Sequence, residues 1–207
     1  MTFFFTADTH FGHARAAEIR GFTGPDAVKK MNDTLIERWN DVVRPGDTVY
    51  HLGDFGLGQK VEWPGIRARL SGSIVFVPGN HDMRDPHDPA CTEVHPKFSA
   101  MLLPGDRVLD DLFFWTMGCS GLLEGGGICF HGAHAPSLAD FDDGRGYIRR
   151  PTLPGAQIEL CGHVHERWVT PSNNGRMGPS RVVNVGVDVW DFTPITVEQI
   201  LREVPLL

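Results

Sequence analysis

The stretch Phe3-Phe4-Phe5-Thr6-Ala7-Asp8-Thr9-His10 joins a short apolar run to two side chains that can bind a metal ion. The same order, an apolar run followed by polar residues, recurs along the chain. The later polar ends are Gly53-Asp54, Gly79-Asn80-His81-Asp82, His131 and Gly162-His163-Val164-His165. Continuous apolar runs are typical of strands buried on both faces, and ligand and catalytic groups collect at the carboxyl ends of such strands. The pattern therefore predicts a site built from turns at one edge of a sheet.

Strand-like and helix-like patterns alternate in the first half of the chain, whereas the second half is mostly strands and turns. Residues 26–43 carry one apolar stripe between Pro25 and Pro45, which predicts a helix. Shorter helices are predicted over residues 60–70 and 196–203. The expected strands cover residues 2–7, 47–52, 73–78, 108–117, 126–131, 157–161 and 181–187. This order predicts an α/β layered fold whose sheets pack together with helices outside.

Size and charge narrow the class of protein. The chain has 207 residues and no long linker, so we expect a single domain over residues 1–207. Its formal net charge of −7 argues against non-specific nucleic-acid binding but allows a small phosphorylated substrate, because bound metals supply local positive charge. There is no apolar run of about 18 residues and no room for a signal peptide before the first motif. We therefore expect a cytoplasmic protein that does not contact membranes.

The polar ends supply carboxylate, amide and imidazole ligands and no thiolate, a set that suits two divalent cations sharing one carboxylate. Asp8 and His10 lie two residues apart at a strand end and are expected to face the same side. The carboxylate of Asp54, on a tight turn after Gly53, is expected to bridge the cations. The candidate metal ligands are Asp8, His10, Asp54, Asn80, His131, His163 and His165.

His81 is the candidate catalytic residue. It follows the predicted ligand Asn80, and Asp82 follows it. A histidine at this place can stabilise developing charge or protonate a leaving oxygen, with an acidic neighbour fixing its tautomer. A hydrogen-bonded structural histidine is the alternative, but the complete ligand set beside it favours the catalytic role.

These five ordered blocks resemble those of the calcineurin-like metallophosphoesterase superfamily: Asp-x-His, Gly-Asp, Gly-Asn-His-Asp, a lone His and Gly-His-x-His. The flanking sequence is similar to small bacterial and phage members, in the stretches 6–13, 49–55 and 184–190. The resemblance implies a four-layer α-β-β-α sandwich, in which two mixed sheets are flanked by helices. It also implies a phosphomonoesterase or phosphodiesterase in which hydroxide held by two metal ions attacks phosphorus.

The resemblance further assigns roles to residues. It implies two divalent metal ions (Mn, Fe, Zn, Ni or Co), with His81 as the catalytic histidine oriented by an acid such as Asp82. The first ion would be held by Asp8, His10, Asp54 and His165, and the second by Asp54, Asn80, His131 and His163.

Two departures from the family pattern limit these implications. Residues 53–58 lack the Asp-Arg-Gly ending of the protein Ser/Thr phosphatases, so a phosphoprotein substrate is not expected. The fourth block contains both His131 and His134. We favour His131 as the ligand because it directly abuts the strand-like run, in which case His134 would face substrate or solvent. His13 and Arg145 are further candidates for contact with the substrate.

Two other functions, a scaffold and a redox protein, are the alternatives to a phosphoesterase. A catalytically silent scaffold of the same fold is opposed by the completeness of the ligand set, and a di-iron redox protein would have no use for His81. Residues 132–156 are either a loop over the site or a solvated irregular segment. A small nucleotide-like ester is the preferred substrate. The oligomeric state cannot be inferred from the sequence.

Overall fold

The computed structural model describes residues 1–57, 63–85, 93–109, 112–116, 128–132, 134, 158–165 and 181–203. For residues 112–116, 128–132 and 181 this description covers the strand backbone alone. Within these residues the chain forms a five-stranded sheet, a four-stranded sheet and several helices.

The first sheet aligns the turns that carry the early motifs. Its strands are β1 (Phe3–Thr6), β2 (Thr48–His51), β3 (Ser73–Phe76), β4 (Arg107–Val108) and β9 (Ile195–Thr196). Their order is β4-β3-β2-β1-β9, with β9 antiparallel to β1 and the others parallel. In register, Thr6 lies beside His51 and His51 beside Phe76. Because these three parallel strands end level with one another, the residues after them meet at one edge.

The second sheet brings the late motif to the same region. Its strands are β5 (Leu112–Thr116), β6 (Ile128–Gly132), β7 (Ile158–Cys161) and β8 (Arg181–Asn184), in the order β5-β6-β7-β8. The strand β5 is antiparallel to β6, and β6, β7 and β8 are parallel.

Alternate residues of β1 face two different cores. Phe4 belongs to a cluster with residues of the helices, whereas Phe5 belongs to a cluster with Ile158, Leu160 and Val183 of the second sheet. The sheets therefore pack face to face through the second cluster. The first sheet is buried on both sides, which explains why its strands are apolar without alternation.

Five α-helices and two single-turn 3-10 helices (Asn80–Asp82 and Val187–Val189) complete the described part. The α-helices are α1 (Ala14–Ile19), α2 (Ala27–Val42), α3 (Trp63–Arg69), α4 (Pro96–Met101) and α5 (Val197–Glu203). The predicted stripe of α2 is buried at Met31, Leu35, Ile36 and Trp39. The helices α1 to α4 contribute to the cluster that contains Phe4, so they cover the outer face of the first sheet. The helix α5 contributes Ile200 and Leu201 to the core between the sheets.

The predicted α/β class with two sheets and outer helices is confirmed. The predicted strand over residues 108–117 is instead the end of β4 and, separately, β5. The predicted helical layer on the outer face of the second sheet is not tested by the described residues, and most of the predicted loop over residues 132–156 lies outside them. Among the described helices, none combines the length and the apolar character needed to cross a membrane.

Candidate metal centre

The parallel pairing of β1 and β2 continues into the turns that carry the first two motifs. The backbone N–H of Asp8 donates to the carbonyl of Gly53 at 3.0 Å, and that of His10 donates to the carbonyl of Asp54 at 3.0 Å. The carboxylate of Asp8 and the ring of His10 are thus held beside Asp54, the first side chain of the next motif.

Most candidate ligands have a backbone conformation that is uncommon for non-glycine residues. Positive φ angles occur at Asp8 (57°), His10 (48°), Asp54 (56°), His163 (68°) and His165 (50°). Non-glycine residues adopt this region at a cost, and it persists where the surrounding structure enforces it, typically at functional sites. The common orientation of Asp8 and His10 therefore comes from turn geometry, since β1 has already ended at Thr6, and not from strand alternation.

The first group of candidate ligands comprises Asp8, His10 and His165. Each offers an atom, and these atoms lie within 4.8 Å of one another. The rings of His10 and His165 stack with their centroids 5.0 Å apart. Asp8 is tied to the late motif as well, because its Oδ2 accepts a hydrogen bond from the backbone N–H of His163 at 2.8 Å.

The second group comprises Asp54, His134 and His163, with ligand atoms again within 4.8 Å of one another. His134 Nδ1 lies 2.8 Å from the carbonyl oxygen of Leu52, which can only accept, so Nδ1 carries the proton and donates. Around His134 Nε2 lie Asn80 Oδ1 at 3.0 Å, His163 Nδ1 at 3.1 Å and Asp54 Oδ2 at 3.4 Å.

Asp54 stands between the two groups. Its Oδ2 lies 3.4 Å from His134 Nε2 of the second group and 3.6 Å from His10 Nε2 of the first. Its Oδ1 accepts a hydrogen bond from the backbone N–H of His81 at 2.9 Å. A single carboxylate is therefore in contact with both candidate sites, which is the position that the sequence predicted for it.

The residues present fit two divalent cations. Asp8 Oδ1 and both ring nitrogens of His10 are buried and, within the described part of the chain, have no hydrogen-bond partner. Buried polar atoms are otherwise nearly always paired. Lone pairs of oxygen and nitrogen also converge on His134 Nε2, an arrangement that calls for positive charge at its centre. Oxygen and imidazole donors without thiolate suit Mn, Fe, Zn, Ni or Co.

The pKa values of the buried site residues also indicate a need for positive charge at the site. Burial raises the pKa of Asp8 to about 6 because it penalises the carboxylate. Burial also lowers the pKa of His10 well below its usual value. For His134 burial is the largest single influence and acts in the same direction, but the carboxylates of Asp54 and Asp8 and the carbonyl of Leu52 together outweigh it and raise the pKa to about 10. The surroundings of His134 therefore favour positive charge.

His81 lies beside both groups and is open to solvent. Its Nε2 is 4.0 Å from Asp54 Oδ2, its side chain is 22% exposed, and its ring centroid is 5.4 Å from that of His10. Asp82 is fully buried, and its carboxylate accepts backbone N–H bonds from Asp54 at 2.7 Å, Phe55 at 2.9 Å and Gly79 at 2.9 Å. Asp82 therefore joins the second and third motifs, while its orientation of the His81 ring stays a prediction.

The structure and the sequence differ on the fourth block. The sequence favoured His131 as the ligand, yet it is the ring of His134 that lies among Asp54, Asn80 and His163. His131 is on β6, and its side chain is outside the described part. The rule that could have identified His134 is visible in the other motifs, whose ligands come after strand ends: β6 ends at Gly132, so His134 follows it as Asp8 follows β1.

His13 and Arg145 are the other residues predicted to contact the substrate. His13 is partly buried next to the first group, with its ring centroid 5.6 Å from that of His10. Arg145 lies outside the described residues.

Three side chains outside the candidate ligand set support His165, directly or through one another. Asp188 Oδ2 lies 2.8 Å from His165 Nδ1, and Asn184 Nδ2 donates to the carbonyl of His165 at 2.7 Å. Arg20 binds both carboxylate oxygens of Asp188. Asn184 and Asp188 lie in the stretch 184–190, whose resemblance to related sequences was a signal for them. Arg20 belongs to no motif.

Comparison with known proteins gives independent information on the family of this chain. The family model described as calcineurin-like phosphoesterase matches residues 1–176. The gene 66 protein of Mycobacterium phage D29 is 30% identical over 201 residues, which cover 92% of this chain and 90% of the phage protein. An uncharacterized protein of Methanocaldococcus jannaschii is 45% identical over 83 residues, and this match spans 37% of this chain and only 44% of the archaeal protein.

Among solved structures, a protein of unknown function from Aquifex aeolicus has the same fold. It superposes with a TM-score of 0.63 at 20% sequence identity, covering 98% of this chain and 99% of the Aquifex chain. At this identity the likeness concerns the fold alone.

Proposed function

The chain belongs to the calcineurin-like phosphoesterase family, and we propose that it hydrolyses a phosphate ester with two divalent cations bound at the candidate metal centre. The observation that carries the proposal is the position of Asp54, whose Oδ2 lies within 3.6 Å of a histidine of each group. Two cations sharing a carboxylate are a recurrent arrangement for displacement at phosphorus.

The proposed ligand sets follow from the two groups. Asp8, His10, Asp54 and His165 would hold the first cation, and Asp54, Asn80, His134 and His163 the second. His134 takes the place that the sequence gave to His131, because Leu52 fixes its Nδ1–H and leaves Nε2 free to act as a ligand. When bound, the cations would supply Lewis-acid activation of water and of the phosphoryl oxygens.

The chain's own residues would orient the substrate and move protons. His81 is at the open side of the centre, where a protonated ring can donate to a phosphate oxygen or to the leaving group. His13, whose ring centroid lies 5.6 Å from that of His10, would contact the same phosphate. The backbone N–H of His81 holds Asp54 Oδ1 and so links the catalytic histidine to the shared carboxylate.

For the substrate we propose a small, nucleotide-like phosphodiester or phosphomonoester. The net charge of −7 disfavours a long polyanion, since affinity for nucleic-acid backbones depends on a basic surface. A small ester needs only the local positive charge of the centre. The alternative is a scaffold of the same fold that has lost catalysis, and it predicts metal binding without turnover.

The test is turnover by the purified, metal-stripped protein after reconstitution with Mn, Ni, Zn or Fe. The substrates are nitrophenyl phosphate, bis-nitrophenyl phosphate and cyclic nucleotides, and bound metal is measured by elemental analysis. Absence of hydrolysis with every metal, despite bound metal, would support the scaffold instead.

Two variants separate metal binding from proton transfer. Asp54→Ala should lose bound metal and activity together. His81→Ala should keep most of its metal yet lose about 100- to 10,000-fold in kcat, the usual contribution of general acid–base catalysis. Asp33→Ala is the matched control, because this carboxylate pairs with Lys29 and Arg69 on the surface. Full activity of either site variant would contradict the proposed mechanism.

A further inference from the structure

One buried guanidinium connects the residues proposed to hold the first cation. Arg20 directly follows α1, and its side chain is 4% exposed. Its Nη2 donates to the carbonyl of Asp8 at 2.6 Å, and its Nη1 donates to the carbonyl of Thr9 at 2.9 Å. Arg20 thereby braces the turn on which Asp8 and His10 adopt positive φ angles.

The same guanidinium fixes the carboxylate that orients His165. Nε and Nη2 of Arg20 donate to Asp188 Oδ1 at 2.6 Å and Oδ2 at 3.0 Å. Asp188 Oδ2 is also 2.8 Å from His165 Nδ1, and a carboxylate can only accept, so Nδ1 carries the proton and Nε2 keeps its lone pair. Asp188 is held from both sides and cannot rotate away.

The contact is built from distant parts of the chain. Arg20 and Asp188 are 168 positions apart in the sequence. The guanidinium of Arg20 lies over the ring of Phe192, 5.8 Å from the centroid of that ring, and Phe192 has a positive φ angle of 60°. In the second group, by comparison, His134 is oriented by a neutral backbone carbonyl, that of Leu52.

We propose that Arg20 and Asp188 are positioning residues that set the cation affinity of the first group and leave that of the second unchanged. Arg20 holds Asp8 and His10 through the backbone and His165 through Asp188. This inference rests on the proposed two-cation function. It adds that the Arg20–Asp188 ion pair supports the ligands of the first site.

The test is a titration of metal-free protein with Mn²⁺, followed by calorimetry and by the electron paramagnetic resonance signal of coupled Mn²⁺ pairs. In Asp188→Asn an amide nitrogen, which cannot accept, replaces one of the two carboxylate oxygens, so the side chain cannot accept all three hydrogen bonds that Asp188 accepts from Arg20 and His165. In Arg20→Lys one ammonium cannot replace the planar fork. Each variant should weaken one Mn²⁺ binding step by about 10- to 100-fold, keep the other within about twofold, and convert the coupled signal to that of isolated Mn²⁺. Asp191→Asn is the matched control, because Asp191 is in the same segment but pairs with exposed Arg38 at 3.2 Å.

Unchanged affinity at both steps, or equal loss at both, would overturn the inference. If the variants fail to fold, histidine-ring ¹⁵N resonances of the wild-type protein, recorded at a pH at which the His165 ring is neutral, decide the matter: a proton on Nδ1 supports the inference and a proton on Nε2 refutes it. A wild-type protein that binds no Mn²⁺ would instead refute the proposed function.

Discussion

At the scale of single residues, the candidate site depends on how closely its turns approach. Gly53 has a φ of 89°, and a Cβ built there would lie 2.6 Å from backbone atoms of Gly79 and 2.6 Å from His134 Nδ1. The turn before Asp54 therefore requires glycine for two reasons, its backbone conformation and the absence of space for a methyl group. The second and third motifs can meet only because this position lacks a side chain.

Gly53→Ala should consequently damage the site, whereas Gly46→Ala should not. Gly46 has a similar φ of 96°, but no atom lies within 4 Å of the place that its Cβ would occupy, so its substitution costs only the backbone strain, about 1 kcal/mol. We expect Gly53→Ala to lose several-fold in Mn²⁺ affinity in addition to that strain. Calorimetric titration and urea unfolding of both variants check this. Equal Mn²⁺ affinity in the two variants would show that close approach at Gly53 is unimportant.

His51 shows how burial of a titratable residue makes stability depend on pH. Its side chain is fully buried, and burial lowers its pKa to about 3. Thr9 Oγ1 donates to the carbonyl of Phe55 at 2.8 Å and so accepts from His51 Nε2 at 2.9 Å, which fixes Nε2 as the nitrogen that carries the proton of the neutral ring. The unfolded chain binds a proton near pH 6.5, whereas the folded chain does not until near pH 3.

Stability from His51 should therefore be present above about pH 6.5 and be lost as the pH falls toward 3, by at most about 1.4 kcal/mol per pH unit. His51→Gln removes this titration, so its free energy of unfolding should depend less on pH than that of the wild type. Thr9→Val is the control, since it removes the hydrogen bond but no titratable group. Urea unfolding of metal-free protein at about pH 6, 5 and 4 measures the slopes. Parallel slopes for the wild type and His51→Gln would contradict this account.

At the scale of elements, a buried ion pair joins α3 to the sheet that carries the site. Arg67 on α3 contacts Asp106 at 2.7 Å, and the side chains are 2% and 0% exposed. Asp106 also accepts the backbone N–H groups of Ile74 on β3, at 2.8 Å, and of Leu103, at 2.9 Å. The start of β3, and through it the alignment of the third motif, thus depends on one carboxylate in the loop before β4.

Asp106→Ala should lower the free energy of unfolding by about 3–5 kcal/mol, because it leaves Arg67 charged and unpaired in the interior. Asp33→Ala removes an exposed partner of Arg69 and should cost at most about 1 kcal/mol. Chemical denaturation of both variants gives the comparison. A loss below about 1 kcal/mol in Asp106→Ala would mean that Arg67 finds another partner.

The sequence predicted the long helix α2, the seven-residue helices α3 and α5 and most strands, but it missed α1, α4 and β9. The stripe over residues 26–43 identified α2, because its sixteen residues repeat the helical period several times. The helices α1 and α4 have six residues each, and β9 has two, so none contains enough of a period to be recognised. Their positions are set by tertiary contacts, such as the pairing of Ile195 with Phe5 on β1.

The same distinction applies to the site. Ligand types could be predicted because they occur in short motifs, and Asp54 was expected to be shared. Arg20 could not be predicted, because its partner Asp188 is 168 positions away and neither the composition nor the periodicity of α1 distinguishes it from any surface arginine. We favoured His131 over His134 because His131 directly abuts a strand-like run. The other ligands lie beyond the ends of their strands, and that rule would have favoured His134.

At the scale of the whole molecule, the candidate centre draws its ligands from turns of both sheets. Asp8, Asp54 and Asn80 follow strands of the first sheet, whereas His163 and His165 follow β7 of the second. In the described structure these turns touch, since the backbone N–H of His163 donates to Asp8 Oδ2. Bound cations would add bonds between the same turns, so metal binding should stabilise the packing of one sheet on the other.

Metal binding should consequently raise global stability and protect both sets of turns. A ligand that binds only the folded state stabilises it by about 2.7 kcal/mol per site at about 100 times its Kd. We therefore expect Mn²⁺ to raise the Tm of the wild type, chelation to reverse the rise, and Asp54→Ala to lose most of it because both groups share that carboxylate. Hydrogen exchange should slow at residues 7–11 and 53–56 of the first sheet's turns and at 162–165 of the second's. Protection confined to one of these sets would show that the two groups do not form a single centre, since a cation held between the sheets must restrain the turns on both sides.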